Sequence, residues 1–393
     1  MKTEKTSEKR GVQDFIYLTA CMLNAVAPEK SRLEVMDLLK VYKLAKRHML
    51  ASAIYLSIEQ GNCLMYLEDA LAAEWRMYTD AVIRKNILMD VERTNLLNRF
   101  ESEAIWYVPL KGCIIANYYP DFGMREIADN DILFDATCHE KVRDIMVERG
   151  YCVEAYKESN QDVYLKEPSY NFEMHKDLMN KFSYPKFFAY YENIKDCLIK
   201  DENNNYGWHF SDEDFYIFFI VHAYKHYEFG GGTGVRTLAD AYILNKRFVY
   251  EKTYIRQELK KLGIYKFEKE FAGLADKVFR HPEAIYKIDK HVHLSIEERD
   301  MLDYVIGAGV FGTRNNAMRN QLVRDGECER IHFLTRIRYI LHRLYPKGEG
   351  FRERYPFFYK HVWAYVFLPV YRLIRRGNIE SLIREAKLAL KIR

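Results

Sequence analysis

No apolar run in this chain approaches the roughly 20 residues that a bilayer-spanning helix needs. The longest candidate, 363 to 371, is interrupted by Pro369. The opening MKTEKTSEKRG is charged throughout and leads into no apolar stretch with a small-residue cleavage site, so no secretory signal is expected. The seven cysteines are odd in number and no two are spaced C-x-x-C, which argues against a zinc ribbon and a disulfide framework. Also missing are a G-x-x-x-x-G-K-[ST] loop, an H-E-x-x-H helix, an RNA-binding fingerprint, internal repeats and low-complexity tracts. These absences leave a reduced, cytoplasmic protein as the expectation.

What is present suits a folded chain of two or three packed units. Of 393 residues, 49% are hydrophobic and 30% charged, enough apolar side chain for a full core. Thirty-one Tyr and 23 Phe point to aromatic packing between helices, with stacking surfaces for bases or sugars as a second use. The net charge of +4 is unevenly placed: between 329 and 393, fifteen Lys and Arg face five Glu, so the rest of the chain is mildly acidic. A basic, aromatic tail suggests an anionic partner or a membrane surface, with packing on the protein's own core as the simpler use.

Along the chain, residues 12 to 104 carry apolar side chains at three and four spacing and read as helices. At Ile105 the texture changes. IWYVPL is β-rich, Lys111-Gly112 opens a helix-like stretch, DNDILFD reads as a strand, and a polar helix over 137 to 149 ends at Gly150. YCVEAYK, DVYLKE and YNFEMHK are three further strand candidates. After the polar turn DENNNYG, Ser211 and Asp214 form a capping box for a helix over 212 to 229, four glycines (230, 231, 232 and 234) break it, and helices follow to the end. The expected units are helical (1–104), mixed α/β (105–210) and helical with the basic tail (211–393).

The residues that carry chemistry cluster in the middle unit. On a strand, Asp129 and Asp131 would project from one face while Ile132 and Phe134 pack on the other. On YNFEMHK, Asn171, Glu173 and His175 would share a face opposite Phe172 and Met174. Three carboxylates on adjacent strands suit Mg²⁺, with Mn²⁺ as an alternative, beside a nucleoside triphosphate. Lys111-Gly112 at a strand-to-helix turn offers close backbone approach and a point charge to a phosphate. His222 and His226 are one helical turn apart, with a hydrogen-bonded core pair and a pocket wall as open readings. Arg236 and Asp240, four apart, read either as a surface ion pair or as pocket residues.

The order K-G, R, D-x-D, then E-x-H (Lys111-Gly112, Arg125, Asp129 with Asp131, Glu173 with His175) resembles the nucleotidyltransferase superfamily of DNA polymerase beta. More closely, it resembles a bacterial nucleotidyltransferase family within that superfamily. The later His222, His226, Gly234, Arg236 and Asp240 match the same pattern, and the likeness runs over roughly 35 to 250. It implies an α+β fold, a small mixed-sheet nucleotidyltransferase core with helical regions on both sides. It also implies transfer of a nucleoside monophosphate from a Mg-bound NTP to an acceptor, with pyrophosphate released. The acceptor is unidentified, a small molecule or a protein, and nucleic acid is not indicated. In that scheme Asp129 and Asp131 bind the metal, Glu173 completes the metal site or acts as general base on the acceptor, Arg125 neutralises developing charge, and Lys111, Gly112, Cys113, His222, His226, Arg236 and Asp240 face the nucleotide. The wider superfamily mostly has Gly-Ser or Gly-Gly at the turn, where this chain has Gly112-Cys113. The rival reading is therefore a catalytically degenerate fold that binds a nucleotide or a partner.

Overall fold

The computed structural model describes residues 2–288, 291–326, 341, 345, 351 and 355–371. They divide into two compact units, residues 1–223 with 234–310, and residues 224–233 with 311–393.

The first unit begins with α1 (Lys2–Leu23), α2 (Lys30–Leu33), α3 (Leu38–Arg47), α4 (Ala51–Gln60) and the 34-residue α5 (Asp69–Ser102). No Pro or Gly interrupts α5. Its buried residues, Leu71, Trp75, Thr79, Asn86, Met89, Leu96 and Phe100, fall at three, four and seven spacing and form one continuous stripe. The early part of that stripe packs on the N-terminal helices, where Trp75 donates its indole N–H to Ala51 O at 2.8 Å. Its end packs on the sheet.

The sheet contains β1 (Tyr107–Pro109), β2 (Asn130–Phe134), β3 (Cys152–Ala155), β4 (Gln161–Lys166) and β5 (Tyr170–His175), in the order β1-β2-β5-β4-β3. The pair β2–β5 is parallel and the other pairs are antiparallel. Between the strands come α6 (Gly112–Ile115) and α7 (His139–Glu148). Ile132 and Phe134 of β2, Tyr164 of β4 and Phe172 and Met174 of β5 join Phe100 of α5 in one buried cluster. Burying each such side chain contributes roughly 1.5–3 kcal/mol. That layer fixes which side chains the opposite face presents, because successive residues alternate.

Asn130, the polar residue between the two aspartates, lies on the buried side at 0% exposure. Its amide donates to Met89 O at 3.0 Å and its carbonyl accepts from Arg93 Nη1 at 3.1 Å, so α5 satisfies it. The expected strand is shorter at its start: Asp129 precedes β2.

After the sheet come α8 (Pro185–Tyr190), the hairpin of β6 (Leu198–Lys200) and β7 (Trp208–Phe210), and α9 (Asp212–Tyr224). Ser211 caps α9, its hydroxyl accepting from Asp214 N at 3.1 Å. The expected helix over 212 to 229 keeps α geometry only to Tyr224 and finishes as a π-helical turn, Lys225–Phe229. Helices α10 (Val235–Arg247), α11 (Lys252–Leu262), α12 (Tyr265–Phe279) and α13 (Ile296–Ala308) complete the first unit. In the second unit, α14 (Arg314–Gly326) and α15 (Pro356–Lys360) are helical, and Phe351, Tyr355, Phe358, Ala364 and Leu368 form a small core. The helices expected over 372 to 393 and most of 327 to 354 lie outside the described residues. Among the described residues, no helix is long and apolar enough to cross a membrane.

Candidate active site

Opposite the buried layer, the β2–β5 register sets Asp131 beside Glu173 and Leu133 beside His175. Ligand atoms of Asp131, Glu173 and His175 all lie within 4.8 Å of one another. His175 Nε2 meets Asp131 Oδ1 at 2.8 Å and stands 3.9 Å from Glu173 Oε2. Gln161, on β4, donates to Glu173 Oε2 at 2.6 Å. Lys111, at the turn after β1, places its ammonium 2.6 Å from Asp131 Oδ1. Two close carboxylates need positive charge between them, and Lys111 supplies it.

This geometry divides the protons unequally. Burial pushes the Asp131 carboxyl up, but Lys111 and then His175 outweigh it and hold it well below the usual carboxylate range. Glu173 is pushed up to about 7 by burial and then by the negative charge of Asp131, with Lys111 opposing. Burial lowers Lys111, yet Asp131, Glu173 and Asp129 together raise it. Asp129 is outside the 4.8 Å cluster but within its field, since burial and then Asp131 raise its carboxyl against Lys111, Arg236 and Arg125.

The Lys111 turn is unusual in its backbone. Lys111 has φ +52° and ψ −118°, a region that favours glycine, so the turn is strained where its side chain is needed. Leu110 N donates to Asp131 O at 2.9 Å and fixes the turn to β2. At the next position a Cβ on Gly112 would come 2.7 Å from Arg125 Nη1. A side chain at this position would press on the Arg125 guanidinium, whatever approaches from outside. Arg125 Nη1 donates to Gly112 O at 3.0 Å, and its Nε and Nη2 grip the two oxygens of Asp240, on α10, at 2.8 Å each. Tyr119 adds its hydroxyl to Asp240 Oδ1 at 2.8 Å. Arg125 is 7% exposed and Asp240 3%, so this is a buried, fully hydrogen-bonded ion pair.

That pair corrects one sequence expectation. Asp240 does not pair with Arg236 on a helix surface. It is buried and pairs with Arg125, 115 residues earlier. Arg236 donates instead to Glu126 O at 3.1 Å and contacts Met49 Sδ at 3.2 Å.

Cys113 is 3% exposed, and its thiol donates to Leu110 O at 3.2 Å, with burial pushing its pKa up. It is neither a thiolate nor aimed outward. His222 lies on α9 with its ring 6.4 Å from that of Phe218. His226 belongs to the second unit, in the π-helical turn.

The structure therefore brings together Lys111, Asp131, Glu173 and His175, and separately Gly112, Arg125 and Asp240. Sequence reasoning missed Gln161 and also Lys85 of α5, which donates to Ala128 O at 3.2 Å beside Asp129. One signal was available for Gln161: it lies on the same face of the sheet as Val163, which pairs with Glu173.

A family model described as an uncharacterised nucleotidyltransferase matches residues 35–280. This span holds every one of these residues. No curated protein and no solved structure matches the chain.

Proposed function

The chain belongs to the uncharacterised nucleotidyltransferase family, and we propose that it moves a nucleoside monophosphate from an NTP to an acceptor hydroxyl, releasing pyrophosphate. The observation that carries this reading is the Asp131–Glu173–His175 cluster on neighbouring strands, with Lys111 against it. Two carboxylates and an imidazole within 4.8 Å form a donor set that fits a divalent cation. The oxygens suit Mg²⁺, and the imidazole nitrogen widens the choice to Mn²⁺. Asp131 and Glu173 would hold the ion, with Asp129 at its edge. When bound, the ion would supply charge stabilisation for the phosphoryl group being transferred.

The chain's own residues then have defined tasks. His175 orients Asp131 and keeps it ionised. Gln161 fixes one oxygen of Glu173 and so aims the other. Lys111 balances the charge of Asp131. In the reaction an acceptor oxygen bonds to the α-phosphorus as the bond to the pyrophosphate oxygen breaks, and the acceptor proton passes to solvent water. Glu173 is placed as a ligand in this reading.

The test is to incubate the purified chain with each labelled NTP, Mg²⁺ or Mn²⁺, and a cell lysate, and to find what becomes labelled. Labelling that needs Asp131 and Glu173 supports transfer. An acceptor found this way would be a small molecule or a protein. The buried thiol of Cys113, in place of the usual hydroxyl, supports a second reading in which the fold binds a nucleotide without turning it over. Metal-dependent ATP binding with no product from any NTP would favour it.

A further inference from the structure

The turn at Gly112 is poorly equipped to hold a polyphosphate. The helix it opens, Gly112–Ile115, is four residues long. The Gly112 carbonyl is taken by Arg125, the Cys113 thiol faces Leu110 O, and the Arg125 guanidinium is committed to Asp240. Lys111 is engaged with Asp131. An anion at this site needs cations from elsewhere.

Two are present, one on a helix before the sheet and one on a helix after it. Lys85 of α5 donates to Ala128 O at 3.2 Å, and Arg236 of α10 donates to Glu126 O at 3.1 Å. Both thus hold the stretch 126–128 that delivers Asp129. Among the described residues, neither has a carboxylate oxygen within ion-pair distance, and both are only partly buried. Among the described residues, the Arg236 fork is engaged through Nη1, by a carbonyl and a thioether, and its Nε and Nη2 donors meet no acceptor. Burial lowers both; Asp129 and Glu126 then raise Lys85 in part, while Arg125 lowers Arg236 further against Asp240 and Asp129. Burial outweighs these carboxylates at both positions, so an arriving polyanion stabilises both cations.

We infer that Lys85 and Arg236 form the seat for the polyphosphate chain of the nucleotide, beside Asp129, an inference that rests on the nucleotidyltransferase reading of the neighbouring carboxylates. The phosphates would then reach the carboxylate cluster from the Asp129 side, and Lys85 would be a substrate-binding residue contributed by the helical region that precedes the sheet.

The experiment is calorimetric titration of Mg·ATP and of metal-free tripolyphosphate into wild type, Lys85→Met, Arg236→Met, Lys85→Arg and the control Arg84→Gln, with Mn²⁺ affinity measured separately by electron paramagnetic resonance. Each Met variant should weaken Mg·ATP by about tenfold or more, as expected for one lost charge-assisted hydrogen bond. Mn²⁺ affinity should stay within about twofold and the control should match wild type, as charges outside the seat do not touch it. Lys85→Arg should recover part of the loss, and tripolyphosphate should compete with ATP. Met variants that bind Mg·ATP like wild type, or tripolyphosphate that does not compete, would overturn the seat alone and move the anion site, first to the basic stretch after 329. Wild type that binds neither Mn²⁺ nor ATP would sink the nucleotidyltransferase reading and the seat with it. Should Arg236→Met not fold, Lys85→Met at its partly buried helical position decides the question.

Discussion

Asp131 and Glu173 sit directly opposite each other on parallel strands, yet they hold protons in opposite ways. Asp131 is kept ionised by Lys111 and His175, while Glu173 is driven up to about 7 by burial and by Asp131 itself. One carboxylate is thus committed as an anion and the other is poised to lose a proton when a cation arrives.

Asp131 should therefore matter more than Asp129, although the D-x-D pattern treats them alike. Asp131→Asn should abolish Mn²⁺ binding measured by electron paramagnetic resonance, whereas Asp129→Asn, outside the 4.8 Å cluster, should weaken it by about tenfold or less, an edge contribution. Equal losses in the two variants would place the ion between the aspartates and away from Glu173.

Gly112→Ala should act on stability first. Its Cβ would lie 2.7 Å from Arg125 Nη1, and such overpacking costs about 1–3 kcal/mol. Urea denaturation checks this. A fully stable Ala variant with lost nucleotide affinity would show that close approach from outside, not Arg125, fixes the glycine.

Arg125→Met alone leaves Asp240 buried and unpaired, at a cost of about 3–5 kcal/mol. Arg125→Met combined with Asp240→Leu removes both charges and should recover most of that loss. A double-mutant cycle in urea measures the difference, and additive losses would contradict a coupled pair.

His48 gives the protein an acid-sensitive joint. It is fully buried, stacked on Phe15, and its Nδ1 accepts from Val235 N at 3.1 Å, joining α3 to α10. Burial, and next the charge of Arg47, lower it to about 4. Above pH 6.5 both folded and unfolded chains keep it neutral. Below that the unfolded chain takes a proton that the folded chain refuses until about pH 4, so stability is lost as pH falls through this window. The loss should reach roughly 3 kcal/mol. His48→Asn, which preserves an acceptor without titrating, should flatten this part of the urea-stability profile between pH 7 and 4. An unchanged profile would assign the acid loss to other groups.

Alternation made much of the sheet legible. Phe172 and Met174 had to face the core layer, which put Glu173 and His175 on the opposite sheet face, and the same rule placed Asp131 opposite Ile132 and Phe134. The rule failed at Asp129 because Asn130, polar yet buried, is satisfied by α5, and the strand begins there. The pairing of Arg125 with Asp240 spans 115 residues and depends on how α10 packs, which local pattern does not encode. Lys85 was unreadable for another reason. On α5, among Arg76, Arg84, Arg93 and Arg99, it resembles any solvated cation until the fold places it beside Asp129.

The parallel pairing of β2 with β5 also bears on how the site is built in time. No tight turn joins these strands, because α7, β3 and β4 are threaded between them. The β4–β5 hairpin is local, whereas the β2–β5 ladder closes a loop of some forty residues and gains its contacts late. Asp131 and Glu173 therefore meet only when that loop closes. A cation held by both would act as a clasp on that step, stabilising the native chain by mass action. It would slow amide exchange across β2 and β5 while leaving edge strand β3 free to open.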